Sequence, residues 1–179
     1  TPEMTPEMTP EMTPEMTPEM TPGMTPVRTP AMIRPATPAD VAVLTLLTRA
    51  AFQPWVAVIG REPLPMQTDY AVAVVQDRID ILAEGATSVG LIHMVVHPDH
   101  LWVETIAIDP RHQGRGLGHH LMAHAEGVTR SLALPELRLL TNAALTSNLR
   151  FYTKLGFTET DRPAFRGGFV VCFTKRLAP

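Results

Sequence analysis

The feature that most constrains this chain is the segment 113–118, with the sequence QGRGLG. It follows a strand-like apolar run that stops at Asp109-Pro110, and it precedes a helix-like run at 119–129. Glycines at alternate positions let the backbone turn tightly and bring its N–H groups close to a ligand. The following helix points its unpaired N–H groups and the positive end of its dipole at the same place. A strand, a glycine-rich turn and a helix N-terminus together predict an anion site, most often for phosphate.

The glycine spacing excludes two common nucleotide motifs. No Gly-Lys-Ser/Thr sequence closes the segment, so it is not the nucleotide P-loop. The dinucleotide fingerprint needs G-x-G-x-x-G, and here the third glycine, Gly118, comes one residue early. A glycine-rich turn without any ligand remains the alternative, because isolated glycine patterns are weak signals.

Length, charge and cysteine content restrict the class of protein. A chain of 179 residues predicts one globular domain. The net charge of −3, with no basic stripe, argues against a nucleic-acid or membrane-surface partner. A single cysteine, Cys172, precludes an intrachain disulfide and fits a reducing compartment, so we expect a cytoplasmic protein.

The first 31 residues differ from the rest of the chain. Thr-Pro recurs every four residues from Thr1 to Pro30, and proline at this spacing is incompatible with a regular helix or an inner strand. We therefore predict a disordered or extended tail at 1–31 and a globular domain at 32–179. A partner-binding arm with a periodic methionine stripe, or a start-site artefact upstream of Met32, remain alternatives.

Apolar periodicity and turn signals within the domain predict alternating helices and strands. Helices are expected at 39–52, 68–77, 116–131 and 147–155, and strands at 33–36, 79–84, 88–97, 100–109, 136–141, 157–162 and 168–175. Residues 53–65 are expected to form a loop with at most a short helical piece. This order predicts an α/β (α+β) fold, in which helices cover both faces of a mixed sheet.

Two segments resemble the GNAT N-acetyltransferase superfamily. The sequence IAIDPRHQGRGLG at 106–118 resembles the family signature of a strand, then Arg/Gln-x-x-Gly-x-Gly/Ala, then a helix. The sequence NLRFYTKLGF at 148–157 is similar to the family's helix that ends in a Tyr-x-x-Leu-Gly-Phe turn. The resemblance covers residues 32–177 and implies the GNAT fold, with a central sheet of about six to seven strands.

The resemblance implies an acetyl-CoA-dependent N-acetyltransferase, in which a primary amine attacks the thioester directly. Acetyl-CoA would be the co-substrate, without a metal, and the acceptor would be a small-molecule or peptide amine held beneath the loop at 53–65. Homodimers are common in the family. The alternative is a CoA-binding sensor or interaction module that keeps the fold but has no turnover.

The resemblance also implies where acetyl-CoA would bind. Two neighbouring parallel strands splay apart in the family, so the backbone of Ile106, Ala107 and Ile108 would hold the pantetheine arm and polarise the thioester carbonyl. Asn142 and Asn148 would pair with amides of the arm, although Asn148 is equally suited to cap a helix. The residues expected around the pyrophosphate are Gln113, Gly114, Arg115, Gly116, Leu117, Gly118 and His119, with Arg111 and Arg115 as either anion contacts or surface charges.

Tyr152 matches the family tyrosine near the acetyl sulfur. A phenol titrates near ~10, close enough to a thiol for Tyr152 to protonate the departing thiolate, and a purely structural core tyrosine is the alternative. Glu104 is the candidate general base or amine anchor, and by strand alternation we expect it to share a face with His100, Trp102 and Ile106. Family members often have a carboxylate where this chain has Trp102 or His100, which leaves His100 as a second candidate.

The remaining histidines suggest weaker hypotheses. His120 and His124 lie four residues apart on the helix after the glycine turn, as half of a metal site or, alternatively, as a solvated helix face. His93 and His97 share a strand face and are expected near the acceptor cleft. Cys172 is expected to be a small packing residue.

Overall fold

The computed structural model describes residues 29–178. The prediction of a disordered or extended repeat therefore lies outside the described residues, apart from its last three. Of those, Ala31 already belongs to the first strand.

One mixed sheet organises the fold. Its strands are β1 (Ala31–Pro35), β2 (Arg78–Glu84), β3 (Thr87–Val96), β4 (Leu101–Ile108), β5 (Glu136–Asn142), β6 (Thr158–Asp161), β7 (Ala164–Phe165) and β8 (Gly168–Arg176). Neighbours follow the order β1-β2-β3-β4-β5-β8-β6, and β7 pairs with β8 off this path. The pair β4–β5 is parallel, while the other pairs are antiparallel. The expected mixed sheet is confirmed; the sequence did not indicate β7, because two residues carry no periodicity.

Helices cover both faces of the sheet. They are α1 (Val41–Phe52), α2 (Trp55–Ile59), α3 (Tyr70–Gln76), α4 (Leu117–Ser131) and α5 (Thr146–Lys154). The first face packs on α1 and α3 through a cluster that includes Leu44, Tyr70 and Ile81. The second face packs on α4 and α5 through a cluster that includes Leu121 and Tyr152. None of the helices within 29–178 is long and apolar enough to cross a membrane.

A β-bulge interrupts β4 at Glu104. His93 of β3 lies opposite Thr105, and the next residue, Met94, lies opposite Val103, so Glu104 is an extra residue in β4. A bulge bends its strand and changes the direction of the side chains around it. Here the bend falls in the middle of the strand that leads to the glycine turn.

The bulge also changes which face of the sheet each β4 residue occupies. Val103 packs in the α4–α5 cluster, whereas Ala107 packs in the α1–α3 cluster, although both have odd numbers. Ile106 packs against the α4–α5 cluster. The expectation that one face of β4 holds His100, Trp102, Glu104 and Ile106 together is therefore wrong. Trp102 alternates with Val103, whose face Ile106 shares, because simple alternation does not hold across an inserted residue.

The parallel strands β4 and β5 separate after a short paired stretch. Residues 101–103 pair with 137–139, and no further pairs join the two strands. Beyond that point 105–108 pair only with β3, and 140–142 pair only with β8. On the side that faces β5, the backbone of this part of β4 therefore has no partner strand. The resemblance to the family implied such a separation.

Gly90 fixes how closely β3 approaches this part of β4. A Cβ added to Gly90 would lie 2.8 Å from Ile108 Cδ1 and 3.0 Å from the Ala107 carbonyl oxygen. We expect Gly90→Ala to lower the free energy of unfolding by about 1–3 kcal/mol, because the backbone oxygen cannot yield without moving β4. Urea unfolding measures this change.

Gly127→Ala is the matched control for Gly90→Ala. Gly127 lies within α4, and a Cβ added there meets nothing within 4 Å. This variant should gain about 0.5–1 kcal/mol, since alanine restricts the unfolded chain more than glycine does. Equal stability of the two variants would contradict a close β3–β4 approach.

Candidate active site

A cavity of about 280 Å³ opens where β4 and β5 separate. Residues 102–106 line one side and 139–142 line the other. The cavity reaches both faces of the sheet, because α5 borders it on one face and the chain after α1 borders it on the other. The remaining lining residues are Phe52, Ile59, Arg61, Pro63, Leu64, Pro65, Leu145, Asn148, Tyr152, Phe165 and Val170.

Glu104 presents the one carboxylate in the cavity lining within the described residues. Its Oε2 accepts a hydrogen bond of 2.7 Å from the indole Nε1 of Trp102. His100, the second candidate base, does not line the cavity; its Nδ1 is hydrogen-bonded to Asp99 Oδ1 at 2.7 Å. The bulge thus brings Glu104, rather than His100, to the cavity wall.

Tyr152 lies at the α5 end of the cavity and is 6% exposed. Phe151, Phe157 and Phe173 surround its ring, with centroid distances of 5.1, 5.8 and 5.8 Å. Burial raises the pKa of the Tyr152 phenol above its usual value. Tyr152 is therefore a neutral phenol at physiological pH, able to donate a hydrogen bond or a proton but not to act as a base.

The chain enters the glycine turn through a short capped 3-10 turn at Pro110–His112. Asp109 Oδ1 accepts a hydrogen bond of 2.9 Å from the Arg111 backbone N–H. The Arg111 guanidinium pairs with the same carboxylate through bonds of 3.1 and 2.8 Å, and it lowers the pKa of Asp109 to about 2. Gln113 Nε2 donates to the Ile108 carbonyl at 3.2 Å. These bonds hold the end of β4 and the start of the turn together.

Gly114 and Gly116 have φ values of 74° and 75°, in the left-handed region that favours glycine. Gly116 is the N-cap of α4, so the free N–H groups of the 15-residue helix begin here. A Cβ added to either glycine would meet nothing within 4 Å, so the turn faces open space. The geometry agrees with an accessible anion site at the start of α4.

Arg115, between the two glycines of the turn, is held in an ion pair. Its guanidinium pairs with Glu84 through bonds of 2.5 and 3.3 Å, and the two side chains are only 22% and 18% exposed. This ion pair joins the glycine turn to the end of β2. The contact between Arg115 and pyrophosphate stays a prediction, and an anion bound at the turn would compete with Glu84 for the guanidinium.

Asn142 and Asn148 both line the cavity. Asn142 Oδ1 accepts from the Ala144 N–H at 2.9 Å, which shapes the turn into α5. Asn148 Nδ2 donates to Thr141 Oγ1 at 3.2 Å, across the gap between α5 and β5. The alternative that Asn148 caps the helix is wrong, because α5 begins at Thr146 and Asn148 lies inside its first turn.

His93 and His97 do not line the cavity, so the expectation for them is wrong. His93 is 3% exposed and is hydrogen-bonded through Nε2 to Asp77 Oδ2 at 2.8 Å, beneath the ring of Tyr70. Its Nδ1 is buried without a hydrogen-bond partner within 29–178. His97 instead stacks on His100 with ring centroids 4.5 Å apart.

His124 is not part of a solvated helix face. Its Nε2 is hydrogen-bonded at 2.7 Å to Asp80 Oδ2, whose residue is 2% exposed and also pairs with Arg78 at 3.1 Å. A buried carboxylate needs such partners, so His124 joins α4 to β2. No group of three or more side chains suited to hold a metal occurs among residues 29–178.

The sequence interpretation missed Arg61 and Phe165, which line the cavity. Arg61 follows α2 inside the segment expected to cover the acceptor. A guanidinium in that apolar, proline-rich loop is the sequence feature that could have identified Arg61 as a site residue. Phe165 lies in β7, the two-residue strand that no pattern revealed.

Alkaline titration tests the environment of Tyr152. Burial raises the pKa of both tyrosines of the chain, Tyr70 and Tyr152. Above pH ~10 the unfolded chain loses phenol protons that the folded chain retains, so the free energy of unfolding should fall as pH rises. We expect tyrosinate absorbance to appear only together with loss of the circular dichroism signal, and Tyr152→Phe should halve its amplitude. Tyrosinate absorbance near pH 10 in a folded chain would contradict the burial of both rings.

Comparisons with known proteins agree with this fold. The family model described as "Acetyltransferase (GNAT) family" matches residues 45–157. The PaiA N-acetyltransferase of Thermoplasma acidophilum, solved in complex with coenzyme A, is 17% identical with a TM-score of 0.72, over 83% of this chain and 99% of that one. No curated protein sequence matches the chain.

Two further solved structures share the fold at similar identity. The ribosomal-protein-S18-alanine N-acetyltransferase of Escherichia coli is 17% identical with a TM-score of 0.64, over 83% of this chain and 95% of its own. A GNAT family acetyltransferase of Elizabethkingia anophelis with acetyl-CoA bound is 17% identical with a TM-score of 0.62, over 82% and 98%. Because the family model spans more than half of the chain and the sheet separates at β4–β5, we conclude that this protein belongs to the GNAT acetyltransferase family.

Proposed function

We propose that this protein transfers the acetyl group of acetyl-CoA to a primary amine by direct attack. The observation that carries the proposal is the gap between β4 and β5, which holds a cavity lined by Glu104 and Tyr152 and lies beside the strand that leads into the glycine turn. Membership of the acetyltransferase family supports the reaction class. The solved neighbours that contain coenzyme A or acetyl-CoA support the choice of co-substrate.

The unpaired edge of β4 suits an extended ligand. A chain with amide groups can add to a free strand edge through main-chain hydrogen bonds, and the pantetheine arm has such amides. The backbone of Ile106, Ala107 and Ile108 would supply the strand side, with Asn142 and Asn148 on the opposite side. The pyrophosphate would bind the backbone at 113–119, where the dipole of α4 favours negative charge.

Glu104 would accept a proton from the attacking nitrogen, and Tyr152 would donate a proton to the leaving sulfur. The acceptor ammonium gives a proton to Glu104, directly or through water, and the free amine forms a bond to the thioester carbon. Backbone N–H groups of β4 stabilise the resulting oxyanion. The C–S bond then breaks, and the Tyr152 hydroxyl donates its proton to the leaving sulfur. The second proton of the attacking nitrogen returns to the tyrosinate through water, which leaves a neutral amide and free CoA.

The raised pKa of Tyr152 keeps the phenol protonated before the C–S bond breaks. It also makes the phenol a weaker acid than a free one, so the proton transfer depends on the negative charge that develops on the sulfur.

Binding of acetyl-CoA tests the glycine turn. We expect Gly116→Ala to weaken binding about tenfold, a loss of ~1.4 kcal/mol. The reason is that a side chain at φ 75° strains the turn and enters the open space in front of it. Titration calorimetry measures the dissociation constant.

Gly60→Ala is the matched control for Gly116→Ala. Gly60 has a φ of 79°, and a Cβ added to it also meets nothing within 4 Å. It should suffer the same backbone strain and bind acetyl-CoA like the wild type. No acetyl-CoA binding by the wild-type protein at high concentration would refute the proposed function.

Rates of acetyl transfer test the two proton-transfer residues. With an amine that the enzyme accepts, Tyr152→Phe and Glu104→Gln should each lower kcat about 10²–10⁴-fold, because each removes one general acid or base. Release of free CoA measures the rate, and calorimetry should show that acetyl-CoA binding is retained.

Tyr70→Phe and Glu159→Gln are the controls. Tyr70 is buried and bonded to Thr48, and Glu159 pairs with Arg162, but neither lines the cavity. These variants should keep the wild-type kcat. Binding of acetyl-CoA without transfer to any amine would favour the CoA-binding module, and full activity of both test variants would refute their assigned roles.

A further inference from the structure

The cavity contains one guanidinium, that of Arg61, among the residues that the structure describes. Within residues 29–178 the Arg61 guanidinium makes one hydrogen bond, a long one of 3.5 Å from Nη1 to the Glu62 carbonyl oxygen. The Arg61 guanidinium makes no ion pair within the same residues. The neighbouring carboxylate of Glu62 instead pairs with Arg49 at 3.0 Å. A half-buried cation without a carboxylate partner lacks the compensation that buried charges normally have.

Arg61 and a second arginine are held over the same aromatic ring. The Arg61 guanidinium lies 5.7 Å from the Phe165 ring centroid, and the Arg166 guanidinium lies 5.3 Å from it. Arg166 also makes no ion pair within the described part of the chain, and its φ of 46° lies in the left-handed region. The two guanidiniums thus bring two positive charges, each without a carboxylate partner in the described chain, to the ring of one cavity-lining residue, and an anion bound beside that ring would be attracted to both.

The opposite charge in the lining is Glu104, on the β4 wall. Much of the surrounding wall is apolar, including Phe52, Leu64 and Leu140. The cavity therefore offers one anionic group for an ammonium, one cationic group for an anion, and apolar surface around them. Its volume of about 280 Å³ is at the lower limit of ligand pockets, which suits a small acceptor.

We propose that the acceptor is a small amine that carries a carboxylate, as amino acids do, and that Arg61, supported by Arg166, binds this carboxylate. The inference rests on the proposed acetyl transfer. A guanidinium binds a carboxylate through two parallel hydrogen bonds, which fixes the orientation of the acceptor as well as its affinity. The same two arginines disfavour polyamines and lysine-rich peptides, because those acceptors would bring further positive charge close to the guanidiniums.

Matched amines test the substrate class. Acetyl transfer would be compared for phenylalanine and leucine, for their amides, and for the corresponding amines without the carboxylate. In at least one set, we expect kcat/KM to be about 10–100-fold higher for the amino acid than for its amide or its amine. This is the difference expected when a hydrogen bond between two charged groups is lost. Arg61→Gln should abolish this difference by raising KM for the carboxylate-bearing amines. Arg61→Lys should restore part of it, since the charge returns without the two-pronged geometry.

Arg130→Gln is the control. Arg130 is an exposed residue of α4 that pairs with Glu126 at 3.5 Å and does not line the cavity. It should leave both the preference and the rate unchanged. A higher rate with neutral amines or polyamines, or with an amine that carries a phosphate instead of a carboxylate, would overturn the assignment while acetyl transfer itself stands.

Binding separates this inference from the proposed function. Calorimetry of phenylalanine and leucine would be run on the CoA-saturated wild type and on Arg61→Gln. If the wild type binds an amino acid at least tenfold more tightly than Arg61→Gln does, the carboxylate site is supported. If no acetylated product forms in that case, only the proposed acetyl transfer is refuted. If neither amino acid binds the wild type, the inference is overturned.

Discussion

The register between β3 and β4 slips by one residue at Glu104, and the candidate site depends on this slip. The ladder between β4 and β5 ends at Val103, directly before the bulge, so the sheet opens at the point where an inserted residue bends β4. The same extra residue carries the one carboxylate of the cavity lining in the described chain. The gap between the two strands and the carboxylate beside it therefore begin at the same residue of β4.

The two ends of this gap differ in how the chain supports them. The glycine turn is held by polar contacts: Asp109 with Arg111, and Arg115 with Glu84. The opposite end is held by aromatic packing around Tyr152. Charged contacts near a surface can exchange partners with a bound anion, whereas a packed aromatic ring keeps its position. This division suits a site that must admit a charged group at one end and orient a reacting atom at the other.

The sequence was sufficient to predict the order of the elements and the glycine turn, because both depend on local patterns. Apolar periodicity identified α1, α4 and the long strands, and the glycines at 114 and 116 have the positive φ values that a tight turn needs. Predictions that needed strand register or tertiary partners were less successful. Nothing in the pattern of β4 reveals the bulge, so the face of Ile106 was assigned wrongly. His93 and His124 likewise looked available, but the fold pairs them with Asp77 and with the buried Asp80.

Gly118 allows the start of α4 to pack closely on α5. A Cβ at this position would lie 3.4 Å from the Phe151 ring, and Phe151 in turn contacts Tyr152 edge to face. His119, the next residue, meets the same ring from the side at 5.0 Å. The aromatic ring of Phe151 thus acts as a spacer of fixed thickness between two helices. The distance between the start of α4 and the phenol of Tyr152 is consequently set by how α4 packs on α5, so a change in the size of residue 118 or 151 would alter it.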